Sequence, residues 1–140
     1  MNSCSKTELR KFKARAGRRQ PAEYIETLWG FKTGRDHDIQ AIRLVPHRGT
    51  RNVCQPGIDA WNRHLEEVAK ATGMQFLGTI HTHNDEIHDE GPSPSDNLSA
   101  LETGERIFAI DCIRRLPSGR LKHVVKFWYP QAPVENIQLT

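Results

Sequence analysis

At 140 residues, with 36% hydrophobic and 26% charged residues, the chain has the length of one domain and a globular composition, which excludes collagen-like, low-complexity and wholly disordered classes. Its mean hydropathy is −0.65; no apolar run approaches the roughly 18 residues of a membrane span, and residues 1–20 lack a signal peptide's apolar stretch. The net charge of +3 is uneven, because seven basic groups against Glu8 give +6 over residues 1–20 and leave −3 for residues 21–140.

The basic segment leads the chain. Residues 7–19 predict a helix with Leu9, Phe12 and Ala16 near one face. Its charge is compatible with a solvated helix or tail, or with a polyanion-binding arm, although Phe12 alone is available for base stacking. Pro21 opens a new segment, in which residues 24–32 and 39–45 read as a strand pair around a Gly34–Asp38 connection. A loop over residues 47–57 precedes a helix at 58–72, where Ile58, Trp61, Leu65, Val68 and Ala69 recur at helical spacing and Gly73 stands as the cap.

Residues 74–82 read as a buried strand, followed by a polar loop over 84–94 and a helix over 95–103 with Leu98 and Leu101 expected inward. Two further strands, 106–114 and 121–129, are joined by Pro117-Ser118-Gly119, and the tail after Pro130 is expected to be extended. This order implies an α/β (α+β) domain with one mixed sheet and helices packed on it. His37, His47, His64 and His123 read as surface histidines, and Cys112 as core. Cys4, Cys54 and Cys112 are distant and odd in number, which argues against a disulfide framework and for a reducing, cytoplasmic setting.

The chemistry concentrates in His81-Thr82-His83 and Ser93-Pro94-Ser95-Asp96. Residues two apart on a strand share a face, so His81 and His83 can present both imidazoles to one metal ion. Asp96, in the first turn of the following helix, is the best third ligand, and two nitrogens with one oxygen suit zinc better than calcium or magnesium. Each piece also has a plain reading, as a polar strand face and as a helix start. Together they point to a metal site that lacks only a general base.

With Glu23 upstream, in Pro21-Ala22-Glu23-Tyr24-Ile25-Glu26-Thr27-Leu28-Trp29-Gly30, these residues resemble the JAMM (JAB1/MPN+) zinc metalloprotease signature: a glutamate, then HxH, then SxxD. Pro21, Glu23 and Gly30 match its upstream segment, whereas Glu26 stands where the family usually has glycine. The resemblance implies a JAMM/MPN (cytidine-deaminase-like) core of mostly antiparallel sheet over residues 21–140, behind a basic helix or leader at residues 1–20. It further implies one catalytic Zn²⁺ held by His81, His83 and Asp96, with Glu23 as general base and Ser93 as oxyanion donor. The implied substrate is the bond after the C-terminal tail of a ubiquitin-like protein or its conjugate, with a partner from the same pathway possible and neither nucleic acid nor membrane expected.

The spacing between His83 and Ser93 exceeds the family's usual one, and the intervening loop carries Asp85, Glu86, Asp89, Glu90 and His88. That loop could attract a basic segment, and His88 could reach the metal. Substrate choice is expected to rest on short loops such as 46–57 and 84–92, or on a partner. Two other classes compete. A catalytically inactive docking scaffold of the same fold is disfavoured by the complete signature, and a nucleic-acid module led by the basic segment leaves the signature unexplained. HxH amidohydrolases need a TIM barrel of about 250 residues, and zinc deaminases need HxE with PCxxC, which this sequence lacks.

Overall fold

The computed structural model describes residues 1–50, 54–84 and 91–140. Its elements are β1 (Asn2–Cys4), α1 (Lys6–Gly17), β2 (Ile25–Thr33), β3 (Asp36–Leu44), β4 (Arg48–Gly49), β5 (Cys54–Gln55), α2 (Ile58–Thr72), β6 (Gln75–Asn84), α3 (Pro94–Glu102), β7 (Phe108–Arg115), β8 (Leu121–Tyr129), β9 (Ala132–Pro133) and β10 (Ile137–Leu139). Among the described residues, eight strands form one mixed sheet in the order β10-β1-β3-β2-β6-β7-β8-β9, while β4 and β5 pair separately. Strands β2–β3, β2–β6 and β7–β8 are antiparallel, but β6–β7 is parallel, and α3 supplies the crossover that a parallel pair needs.

Helix α1 lies on one face of this sheet. Ser5 caps it by accepting from the Glu8 N–H at 3.3 Å, and Leu9, Phe12 and Ala16 recur on one side and are buried. They pack with Tyr24, Leu28, Ile42, Ile80 and Ala109 in the main core. The basic segment therefore belongs to the core of the fold: β1 pairs with β3 and β10, and α1 covers the sheet. Its Arg15 reaches Glu26 with Nε at 2.8 Å and Nη2 at 2.7 Å, and Glu26 is fully buried.

Helix α2 has the predicted bounds but a different buried residue. His64 is its buried side chain, Trp61, Leu65 and Val68 are half-buried, and Ile58 remains 71% exposed. Beneath the helix, Trp29 meets His64 and Phe76 at 6.3 and 5.7 Å between ring centroids, while Ile58 lines a cleft instead of the core. His64 Nε2 lies 2.5 Å from Thr27 Oγ1, which also accepts from the Trp29 indole at 2.7 Å.

His37 is likewise buried, on β3, where its backbone N–H donates to Asn2 Oδ1 at 2.8 Å. The surface readings of His37 and His64 are corrected by these partners, which only the folded sheet supplies. Cys4 and Cys112 are buried, and no helix among the described residues is long and apolar enough to cross a membrane.

Burial pushes the pKa values of His37 and His64 below the ordinary 6.5. Both are thus held neutral in the fold, whereas the unfolded chain takes up protons below about pH 6.5. Their contribution is present above that pH and is lost as pH falls toward the lower folded values. Thermal denaturation is expected to show Tm falling from about pH 7 to about pH 5, with a shallower slope in His64→Gln.

Candidate functional site

Strand alternation sorts β6 into two sets. Ile80 and Thr82 turn toward the main core, while Thr79, His81 and His83 face the opposite side, under α3. In the parallel register His81 lies beside Ile110 and His83 beside Cys112. Helix α3 begins at Ser93, whose side chain accepts from the Asp96 N–H at 3.1 Å while Asp96 Oδ2 accepts from the Ser93 N–H at 2.9 Å. This reciprocal cap, with Pro94 in the first turn, fixes the Asp96 rotamer as well as the helix start.

The docking of α3 decides which of its apolar residues face inward. Asp96 and Ala100, four residues apart, share the sheet-facing side, and Ala100 packs on Phe108 and Ile110. Leu98 and Leu101 fall off that side and are 57% and 50% exposed, contrary to the inward placement expected from sequence. Ala100 against Phe108 and Ile110, and Asp96 against His81 and His83, set the rotation of the helix rather than the leucines.

His81, His83 and Asp96 converge. The two Nε2 atoms are 3.1 Å apart, His81 Nε2 is 3.3 Å from Asp96 Oδ1, and His83 Nε2 is 3.1 Å from Asp96 Oδ2. A tetrahedral ion with bonds of about 2.0–2.1 Å separates its ligand atoms by about 3.3–3.4 Å, so the three donor atoms stand near the spacing that a bound metal ion requires. One ring proton can bridge two of these atoms but not join all three pairs. Burial pushes the Asp96 carboxyl up, but hydrogen bonds from His81 and His83, attraction to His81 and the Ser93 N–H outweigh it and hold Asp96 well below the usual carboxylate range. These three residues could hold a metal ion.

They line a cleft of about 610 Å³ together with Glu23, Ser93, Ile58, Trp61, Leu98, Glu102 and Glu105, among others. Its ionisable lining is acidic apart from the two histidines: Glu23, Asp96, Glu102 and Glu105, with no Lys or Arg among the described lining residues. Glu105 is buried, accepting at 2.6 Å from both Thr79 Oγ1 and Thr103 Oγ1. Sequence reasoning missed it, because its setting depends on Thr79, a residue distant in the chain.

All five residues singled out from sequence line this one cleft. Glu23 is 6% exposed, and its N–H donates to Thr50 O at 2.6 Å. Glu26 lies apart, against α1. Residues 51–53 of the first short loop, and residues 85–90 including His88, lie outside the described residues.

No family model matches the sequence, and no curated protein does so. Solved structures do match. Protein DSY2949 from Desulfitobacterium hafniense superposes with a TM-score of 0.68 at 17% identity, covering 100% of this chain and 93% of that one. AF2198, a JAB1/MPN domain protein from Archaeoglobus fulgidus, superposes with a TM-score of 0.58 at 17% identity, covering 100% and 97%. This chain has a JAB1/MPN fold. Within the JAB1/MPN fold seen here, the metal-type triad sits where β6, α3 and the segment before β2 meet.

The segment before β2 admits no side chain at its neighbour. A Cβ on Gly49 would stand 1.9 Å from the Glu23 carbonyl oxygen, whereas one on Gly57 would meet nothing within 4 Å. Gly49→Ala is therefore expected to lower Tm clearly and Gly57→Ala to leave it nearly unchanged, as read by thermal denaturation.

Proposed function

We propose that this chain is a zinc-dependent peptidase or isopeptidase that hydrolyses the bond after the C-terminal tail of a ubiquitin-like protein. The observation that carries the reading is the convergence of His81, His83 and Asp96 at 3.1–3.3 Å in a cleft that Glu23 and Ser93 also line. The JAB1/MPN fold supports it, and the choice of substrate rests on the signature's resemblance.

His81, His83 and Asp96 would hold the ion. Bound zinc supplies Lewis acidity, bringing the pKa of water down to about 7 and polarising a carbonyl. Glu23 would take a proton from the attacking water and return it to the leaving amine, the general-base role suited to a carboxylate recessed in the wall. Ser93 Oγ already accepts from the Asp96 N–H, which uses a lone pair and leaves its own O–H to donate to an oxyanion. Hydrolysis then proceeds as a single displacement with no residue of the chain acylated. The surrounding carboxylates favour a divalent cation, and the hydroxyls of Thr79 and Thr103 keep Glu105 satisfied beside it.

Metal analysis combined with cleavage of ubiquitin-like fusions tests the proposal. Wild-type protein is expected to bind stoichiometric zinc; His81→Ala and Asp96→Ala are expected to lose it, and Glu23→Gln to keep it while losing hydrolysis. Ser93→Ala is expected to lower kcat by about 10²–10³-fold. Stoichiometric zinc in Asp96→Ala would overturn the site.

A further inference from the structure

Glu23 is followed at once by a residue with an unusual number of attachments. Three successive amides are each committed: Glu23 N–H to Thr50 O at 2.6 Å, Tyr24 N–H to Thr82 Oγ1 at 2.9 Å, and Ile25 N–H to His47 Nε2 at 3.3 Å. The Tyr24 carbonyl accepts from the Thr82 N–H at 2.9 Å, so Tyr24 is bound through both backbone groups to the residue between His81 and His83.

Its ring lies between Phe12 and His47, with centroids 5.9 and 5.3 Å away. Its hydroxyl donates to the Glu26 carboxylate, which Arg15 of α1 grips through Nε and Nη2. Glu26 is wholly buried and stands where the resembled signature has glycine, so this attachment belongs to this chain's own sequence.

We infer that Tyr24 is a positioning residue for Glu23: the Arg15–Glu26 pair on α1 holds the tyrosine hydroxyl, and Tyr24 in turn sets the Glu23 backbone against the strand that carries His81 and His83. The inference rests on the proposed function for its catalytic consequence. The physical link stands on the contacts alone. A carboxylate that must reach a fixed point is sensitive to small displacements, since a shift of about 1 Å can cost about 10²-fold in rate. Two backbone bonds to a single residue of the neighbouring strand leave Tyr24 little freedom to slide along β6. The side-chain anchor on α1 opposes rotation of the same peptide units. Helix α1 thus acts on the cleft from the far side of the sheet, without touching it.

Tyr24→Phe tests this, because it removes the hydroxyl and keeps the ring packing. Hydrogen exchange and metal binding are read on the full chain, alongside steady-state cleavage of a ubiquitin-like fusion. The expected result is faster exchange at the Thr82 amide, unchanged zinc stoichiometry, and a kcat lowered by about 10- to 100-fold at nearly constant KM. The acid limb of the pH profile is expected to move with kcat, which a merely structural role would not produce. Arg15→Lys, which keeps a cation beside Glu26, is expected to fall between wild type and Tyr24→Phe and guards against a variant that fails to fold.

Wild-type exchange at Thr82 together with wild-type kcat in Tyr24→Phe would overturn the inference. So would a loss of Tm with kcat and pH profile intact. If wild-type protein binds no zinc and cleaves no fusion, the proposed function fails, while the exchange of Thr82 still decides whether Tyr24 holds the two strands in place.

Discussion

Strand β6 serves two layers at once, and the rest of the structure depends on that double duty. Because successive side chains alternate, Ile80 and Thr82 are committed to the core beneath α1, and Thr79, His81 and His83 are thereby committed to the cleft beneath α3. A register slip of one residue would turn the imidazoles into the core beneath α1 and Ile80 into the cleft, so the hydrophobic pattern itself protects the site. The strand also needs close backbone approaches. A Cβ on Gly78 would stand 1.7 Å from the Ile107 carbonyl oxygen, so glycine lets the turn into β7 lie directly against β6.

The same two-sidedness explains the handling of charge. On the α1 side the fully buried Glu26 is matched by Arg15 and the Tyr24 hydroxyl, and burial together with that hydrogen bond pushes the tyrosine pKa up. Removing one partner of such a buried pair typically costs about 3–5 kcal/mol, because the other charge is left desolvated. On the cleft side no Lys or Arg stands among the described lining residues: Glu105 accepts from Thr79 and Thr103, and Asp96 accepts from the Ser93 N–H and stands against the His81 and His83 rings. Neutral donors hold these acids in place without cancelling their charge, which suits a site for a cation. The basic surplus of residues 1–20 is therefore divided between a core anchor, Arg15, and solvent-facing groups such as Arg10 and Arg18.

Much of this was legible because it is local. The HxH pair follows from the two-residue period of a strand, the position of Asp96 from a helix cap that Ser93 and Asp96 make between themselves, and the bounds of α2 from helical spacing and Gly73. Strands β1, β4, β5, β9 and β10 were not legible, since two or three residues carry no period and their pairing is made across the chain, as in Asn2 with Ile137. His37 and His64 were misread for a related reason: a histidine is buried only where partners such as Asn2 or Thr27 arrive from elsewhere.

The sequence by itself determined the α/β class, the principal helices and strands and the residues of the metal-type triad, because each depends on neighbours within a few positions. Tertiary structure alone decided that the basic segment is part of the core, that Leu98 and Leu101 face outward and that Glu105 joins the cleft of the triad. Those outcomes depend on how β2, β6 and α3 are placed against one another, and that placement is set by non-local pairing and packing, which no window along the chain contains.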